Sequence, residues 1–274
     1  MVLGIDVGGS TTKIVGLSPD GTCIGMLQVD ASDQITSAFG AFGKFISTYN
    51  LAIQDIKQIV LTGVGAGYLD GGMYNIPTKR VDEFLAIGLG GLHLAKLSEA
   101  IIVSVGTGTA LVRATKNAIT HIGGSGVGGG TLSNLAERFA GAHSFASITN
   151  LAASGNLAAV DLRLSDISKE KIGNLPPNTT VSNFGNMQDN VAPGDIVLGL
   201  INMIFESVGM MAVFATLNDS VKDIVLIGSL SVVDQAASVF DGLANIHKGN
   251  KFHVPKNAVF ATAFGAALHG VNFE

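Results

Sequence analysis

Leu3-Gly4-Ile5-Asp6-Val7-Gly8-Gly9-Ser10-Thr11-Thr12-Lys13-Ile14-Val15 reads as strand, glycine turn and strand. Leu3, Ile5 and Val7 alternate with Gly4 and Asp6, the period of a pleated strand, and Ile14 and Val15 resume it. Between them Gly8-Gly9 is expected to turn the backbone through positive φ. Such a turn bares amide N–H groups, and no Cβ blocks the approach. Ser10, Thr11 and Lys13 add hydroxyls and a positive charge, which together suit a phosphate. Asp6, at the end of the first strand, would hold a hydrated Mg²⁺ or a water instead, because two anions repel. An isolated Gly-Gly turn is also found in ordinary hairpins with a solvated Asp. Further turns downstream bear on the choice.

About a hundred residues later the pattern returns. Ile101 to Val105 is a strand, Gly106-Thr107-Gly108-Thr109 a glycine/hydroxyl turn, and Ala110-Leu111-Val112 a returning strand. A third strand, Ala118 to Ile122, feeds the glycine run Gly123 to Gly130, and Thr131 opens a helix to about Ala140. A glycine run emptying into a helix N-terminus is a recurrent anion or nucleotide cradle, since free N–H groups and the helix dipole point the same way. The alternative is a flexible linker, but linkers rarely sit between a hydrophobic strand and an amphipathic helix. Asp223 to Ser229 is another strand ending in glycine.

The remaining segments fill in an α/β order. Cys23 to Val29 is a third strand, and Ser32 or Asp33 caps a helix to about Tyr49. Gln58 to Gly63 reads as a buried parallel strand, with Gly63, Gly65 and Gly67 at the carboxyl end where crevices of open α/β sheets form. Glu83 starts a helix to about Leu97 whose glycines imply close packing. Residues 144–193 are the least regular, expected to be a short helix and a loop covering a site. Helices are expected over 196–217, 231–246 and 258–270, with a short strand at 251–254.

Composition narrows the partners. The 274 residues are 47% hydrophobic and 14% charged, with net charge −5 and no Lys/Arg cluster, so neither nucleic acid nor an anionic membrane has an electrostatic footprint. Cys23 is the only cysteine, which excludes an intramolecular disulfide framework and an all-cysteine metal site within one chain. With no basic, apolar leader pattern at the N-terminus, a cytoplasmic location is expected. Ile196 to Leu217 has the length and apolarity of a membrane span. Asn202, Glu206 and Ser207 interrupt it, which favours a buried core or subunit-interface helix.

Two copies of hairpin, third strand, helix and parallel strand suggest a duplicated α/β unit with a cleft between the copies. The order DVGGSTTK, VDEF, VGTGTA, GGSGVGGGT, SNFG and IGSL resembles the type II pantothenate kinases, from Gly4 to Ala267. The resemblance implies duplicated actin/Hsp70/sugar-kinase-like (ribonuclease H-like) domains, 1–97 and 98–274, around a nucleotide cleft. It implies an ATP-dependent, magnesium-requiring homodimer that phosphorylates the primary hydroxyl of pantothenate or a close relative.

By the same resemblance, Asp6, Gly8, Gly9, Ser10 and Lys13 form the first phosphate segment, and Gly106, Thr107, Gly108 and Thr109 the second. Gly128, Gly129, Gly130, Thr131, Gly228 and Ser229 form the adenosine side. Glu83 is the catalytic carboxylate, which would orient the attacking hydroxyl and take its proton late in the transfer. Read from the residues alone, Glu83 is also a helix N-terminal carboxylate complementing the dipole. His121 and Ala110 take the acceptor-binding positions by the same resemblance, although the chain departs from the family there, with His121 where an Arg contacting the acceptor is usual and Ala110 where Ser is usual, and also at Leu85, usually Asp. Within the superfamily, an activator ATPase of radical dehydratases would need more cysteines, and a sugar kinase or repressor a zinc site or winged helix. A nucleotide sensor without turnover is the non-enzyme alternative, and Glu83 speaks against it.

Overall fold

The computed structural model describes residues 1–31, 33–69 and 72–271. Strands β1 (Val2–Val7), β2 (Thr11–Leu17) and β3 (Cys23–Asp30) form an antiparallel meander, followed by helix α1 (Gln34–Thr48). Asp33 caps α1 by accepting from the Thr36 N–H at 2.7 Å; Ser32, the other candidate cap, lies outside the described residues. Strands β4 (Gln58–Thr62) and β5 (Thr78–Arg80) add in parallel, giving the order β3-β2-β1-β4-β5. Leu3, Ile5, Ile14, Ile59 and Leu61 are fully buried on one face, against Ala38, Phe42 and Phe45 of α1.

After helix α2 (Glu83–Ala95) the unit recurs as β6 (Glu99–Val105), β7 (Thr109–Thr115), β8 (Ile119–Ser125) and α3 (Gly129–Ala140). Then come α4 (Phe145–Ala153), a small β9 (Leu162–Arg163) and α5 (Leu164–Ile167), β10 (Thr180–Ser182), and the long α6 (Pro193–Thr216). Strand β11 (Asp223–Ile227), α7 (Asp234–Ile246), β12 (Lys251–His253) and α8 (Ala261–Val271) finish the described chain. The second sheet runs β12-β11-β6-β7-β8, the same meander and parallel additions as the first.

Helices α2 and α8 cross between the two sheets, and each serves the opposite half. α2 packs Ile87 and Leu92 against Ile102, Val112 and Val225 of the second sheet. α8 lays Ala263, Phe264 and Ala267 on Val15 and Leu17 of the first. The crossing admits no side chain: a Cβ on Gly90 would strike the Ala261 carbonyl, and one on Gly265 the Ala86 carbonyl. The glycines expected to mean close packing in α2 do mean that.

α6 is long and apolar enough to span a membrane by length and composition, yet 67% of its most apolar window is buried inside the protein. Its polar residues have a packing role. Asn202 donates to Asp161 at 2.8 Å and to Thr180 at 3.2 Å, and Asn183 donates to Glu206 at 3.0 Å. Asp161 is fully buried and also accepts the Phe184 N–H at 2.9 Å. Segment 144–193 therefore docks on α6 instead of covering the cleft; only Phe145 from it lines the cleft.

Candidate active site

Strand register builds the floor of the site. Gln28 pairs with Lys13, Lys13 with Asp6, and Asp6 with Thr62, so four polar side chains form one row across the first sheet. This is the sheet face that α8 covers lower down, where Val15, Leu17 and Val60 replace them. Above the end of α8, Gln28, Lys13 and Asp6 of this row line a cleft of about 810 Å³ that both halves enclose, while Thr62 stays buried beside Asp6.

The turn after β1 closes by a Gly8 N–H bond to the Thr11 carbonyl at 3.0 Å. Gly8 and Gly9 are not in the left-handed region that the sequence led us to expect. Glycine is needed at Gly8 for proximity, since a Cβ there would lie 2.8 Å from the Thr11 carbonyl. Lys13 donates to the Thr11 hydroxyl at 2.9 Å and lies 3.9 Å from Asp6. Burial pushes the Asp6 carboxyl up and Lys13 draws it back. The second hairpin turn, closed by Gly106 N–H to the Gly108 carbonyl at 2.9 Å, meets the first: the hydroxyls of Ser10 and Thr107 are 3.3 Å apart.

The glycine run departs from expectation. Gly123 and Gly124 belong to β8, and α3 begins at Gly129 instead of Thr131. Its first amides are not free. Gly129 N–H donates to the Gly106 carbonyl at 2.7 Å and Gly130 N–H to the Thr107 carbonyl at 2.9 Å. Thr109 and Thr131 turn their hydroxyls to the carbonyls of Val127 and Gly126, at 2.7 and 3.1 Å. The helix start thus clasps the second turn. Gly128, packed on the Gly108 backbone, and Thr131 lie outside the cleft lining, whereas Gly129, Gly130, Gly228 and Ser229 line it. Gly228 has φ +93° and leaves no room for a Cβ beside Val105, so here glycine is needed both for conformation and for contact.

Glu83 is the first residue of α2 and lines the cleft; the cap itself is Asp82, whose carboxylate accepts the Leu85 N–H at 3.0 Å. Burial raises the Glu83 pKa, and the charges of Asp6 and Asp82 raise it further. A carboxyl held above its usual range is suited to taking a proton from an alcohol. Ala110 lines the cleft opposite Ser104 on β6. His121, expected to bind the acceptor, does not line it. Its ring lies flat on Phe84, centroids 3.9 Å apart and planes 14° apart.

Sequence reasoning missed Thr62, Asp30, Ile87, Ser104 and Thr262. Thr62 is 1% exposed with a hydroxyl that has no hydrogen-bond partner among the described residues, beside Asp6. Register was the signal that would have found it and Asp30, which pairs with Thr11. No group of three or more His, Cys, Asp or Glu converges among the described residues. A divalent ion would rest on one carboxylate, waters and phosphate oxygens, the habit of magnesium.

The family model described as Fumble matches residues 95–245, more than half of the chain. The chain belongs to the Fumble family. A type II pantothenate kinase of Staphylococcus haemolyticus (strain JCSC1435) is 26% identical over 275 residues, covering 97% of this chain and 98% of the relative. That of Staphylococcus aureus (strain MRSA252) is 26% identical over 279 residues, covering 98% and 100%. Membership in the type II pantothenate kinase family is thereby borne out.

Among solved structures, the activator of the 2-hydroxyisocaproyl-CoA dehydratase from Clostridium difficile with bound ADPNP superposes with TM-score 0.70 at 16% identity, over 99% of this chain and 94% of that one. A ROK family glucokinase from Streptomyces griseus in complex with glucose and AMPPNP gives 0.61 at 10% identity, over 98% of each. These likenesses show the fold alone, and bear out the expected duplicated α/β architecture.

Proposed function

We propose that this chain is a cytoplasmic, ATP-dependent kinase that phosphorylates the primary hydroxyl of pantothenate or a close relative, the first step of coenzyme A biosynthesis. The observation that carries this reading is the meeting of Ser10 and Thr107 across a cleft that also holds Glu83, in a member of the Fumble family. Lys13 and the two turns, Gly8 to Ser10 and Gly106 to Gly108, would hold the phosphates, with adenosine beside Gly228 and Ser229. Asp6 would hold Mg²⁺ through water; the ion, when bound, offsets charge on the transferring phosphoryl group. Glu83 orients the acceptor hydroxyl and accepts its proton.

The two sheets support two lobes, 1–97 and 98–274, with α2 and α8 crossing between them. We also read the chain as a homodimer joined along α6, where Phe214 is 60% exposed. A monomer in sedimentation at micromolar concentration would reject that. For the reaction, Glu83→Gln is expected to keep ATP affinity in calorimetry and to lower turnover by roughly two to four powers of ten, the range of a general base. Unchanged turnover would remove Glu83 from the chemistry.

A further inference from the structure

We propose that His121 is a positioning residue: its ring, laid flat on Phe84, holds the first turn of α2 so that Glu83 stays aimed into the cleft. This rests on the kinase reading above, in which Glu83 takes the acceptor's proton. It adds a residue that the cleft lining does not include.

Strand β8 is shaped to make the contact. Its register against β7 slips by one residue, Leu111 pairing with Gly123 and Val112 with His121, so that Ile122 faces no partner on β7. A bulge of this kind beside a site re-aims the side chains around it. Ile119 and His121, two residues apart, pair with Ala114 and Val112, whose buried side chains belong to the core beneath α2. His121 therefore sits on the strand face that α2 covers.

Helix α2 runs along that face in step with the strand. Gly88 stands over Ile119, where a Cβ would lie 2.6 Å from the Ile119 side chain. Four residues earlier Phe84 meets His121, ring centroids 3.9 Å apart and planes 14° apart. One helical turn rises about 5.4 Å and two strand residues about 6.6 Å, so the two contacts are consecutive rungs. Phe84 packs on the core of the second sheet, and the exposed His121 ring covers it.

The first turn of a helix is the least held, because its N–H groups lack intrahelical partners. In α2 its backbone is tied by Asp82, whose carboxylate accepts the Leu85 N–H and whose carbonyl accepts the Ala86 N–H, each at 3.0 Å. Glu83 and Phe84 are successive and lie about 100° apart around the axis, so pinning the Phe84 ring to β8 sets where the carboxylate points. Direction matters to the chemistry. The acceptor O–H gives its proton to Glu83 as its oxygen bonds the γ-phosphorus, and ADP leaves with the electrons of the broken bond to the β–γ bridging oxygen. A base misplaced by about 1 Å loses up to roughly a hundredfold in rate.

The test measures kcat, acceptor KM and ATP affinity with Mg·ATP and pantothenate, or pantetheine where that is the better acceptor. It compares wild type, His121→Ala and His121→Phe, each with Glu83 intact and with Glu83→Gln. His121 is exposed on an edge strand, so the fold should hold, and the thermal midpoint verifies it. His121→Ala is expected to lower kcat by roughly ten- to a hundredfold, with ATP affinity and acceptor KM within about twofold of wild type. His121→Phe keeps a flat ring on Phe84 and should recover kcat. In the Glu83→Gln background, His121→Ala should lower the residual turnover no further, since no base is left to aim; a merely structural contact would cost the same in both backgrounds. Three results would each overturn the proposal and leave the kinase reading standing: unchanged kcat in His121→Ala, an equal loss with and without Glu83, or a raised acceptor KM that His121→Phe does not restore. The last would make His121 an acceptor contact. A wild-type protein that binds ATP and phosphorylates neither alcohol sinks the kinase reading and this proposal with it.

Discussion

Ser10 and Thr107, 97 residues apart in the chain, face one another hydroxyl to hydroxyl at 3.3 Å, each at the tip of its own hairpin. The two halves of the duplicated fold touch there through side chains that have no core to fill. A phosphate bound between the turns would engage both hydroxyls. Ser10→Ala and Thr107→Ala are each expected to weaken ATP binding by a few-fold, the worth of one hydrogen bond at roughly 0.5–1.5 kcal/mol. Because both contact one ligand group, the double variant should depart from additivity. Calorimetry on the four proteins checks it; strict additivity would mean that the turns bind separate parts of the nucleotide.

The glycines in and around the second turn divide by what surrounds them. A Cβ on Gly106 meets nothing within 4 Å, whereas one on Gly128 would press on Gly108 and Thr107 backbone at 2.8 Å. Gly106→Val is therefore expected to fill the cleft, abolishing ATP binding with the thermal midpoint nearly unchanged. Gly128→Val should lower the midpoint itself. Full ATP affinity in folded Gly106→Val would place the phosphates elsewhere.

Both hairpins were legible in the sequence because alternation and turn residues are local signals, and Leu3, Ile5 and Val7 do bury one face of β1. What escaped depends on contacts distant in sequence. Gly124 looks like loop, yet it continues β8 by pairing with Ala110 of β7, at a place where the Thr109 carbonyl leaves no space for a Cβ. The amides of Gly129 and Gly130 looked free, but their acceptors lie in a turn more than twenty residues earlier. His121 stood in a motif position and folded onto Phe84, an aromatic partner on another element. The crossing of α2 and α8 could be anticipated from Gly90 and Gly265 only as tight packing, without naming the partner.

Glu83 gives the reaction a predictable pH dependence. Its folded pKa lies above its ordinary value of 4.5, through burial, Asp6 and Asp82. The acid limb of kcat/KM should therefore fall above that pH, and Asp82→Asn should move it lower by removing one negative neighbour. Asn still caps a helix, so α2 should hold. A raised carboxyl contributes stability at low pH that is lost as pH rises through the folded pKa. Glu83→Gln should accordingly raise the thermal midpoint more near neutrality than near pH 4. An acid limb unmoved in Asp82→Asn would assign it to another group.

Thr62 offers the sharpest separation of structure from function. Its hydroxyl is buried at 1% exposure, beside Asp6 in register, and has no partner among the described residues. Leaving such a group unsatisfied costs roughly 1–3 kcal/mol, which the fold tolerates without return in the free protein. Valine has the same shape without the hydroxyl. Thr62→Val is therefore expected to leave the nucleotide-free protein as stable as wild type or more so, while weakening the Mg²⁺-dependent part of nucleotide affinity. Thr62→Ser, which restores the hydroxyl, should recover that affinity. Two measurements decide it: the thermal midpoint without nucleotide, and ATP affinity by calorimetry with and without Mg²⁺. A structural hydroxyl would give the opposite pair, a lowered midpoint and an unchanged response to the ion.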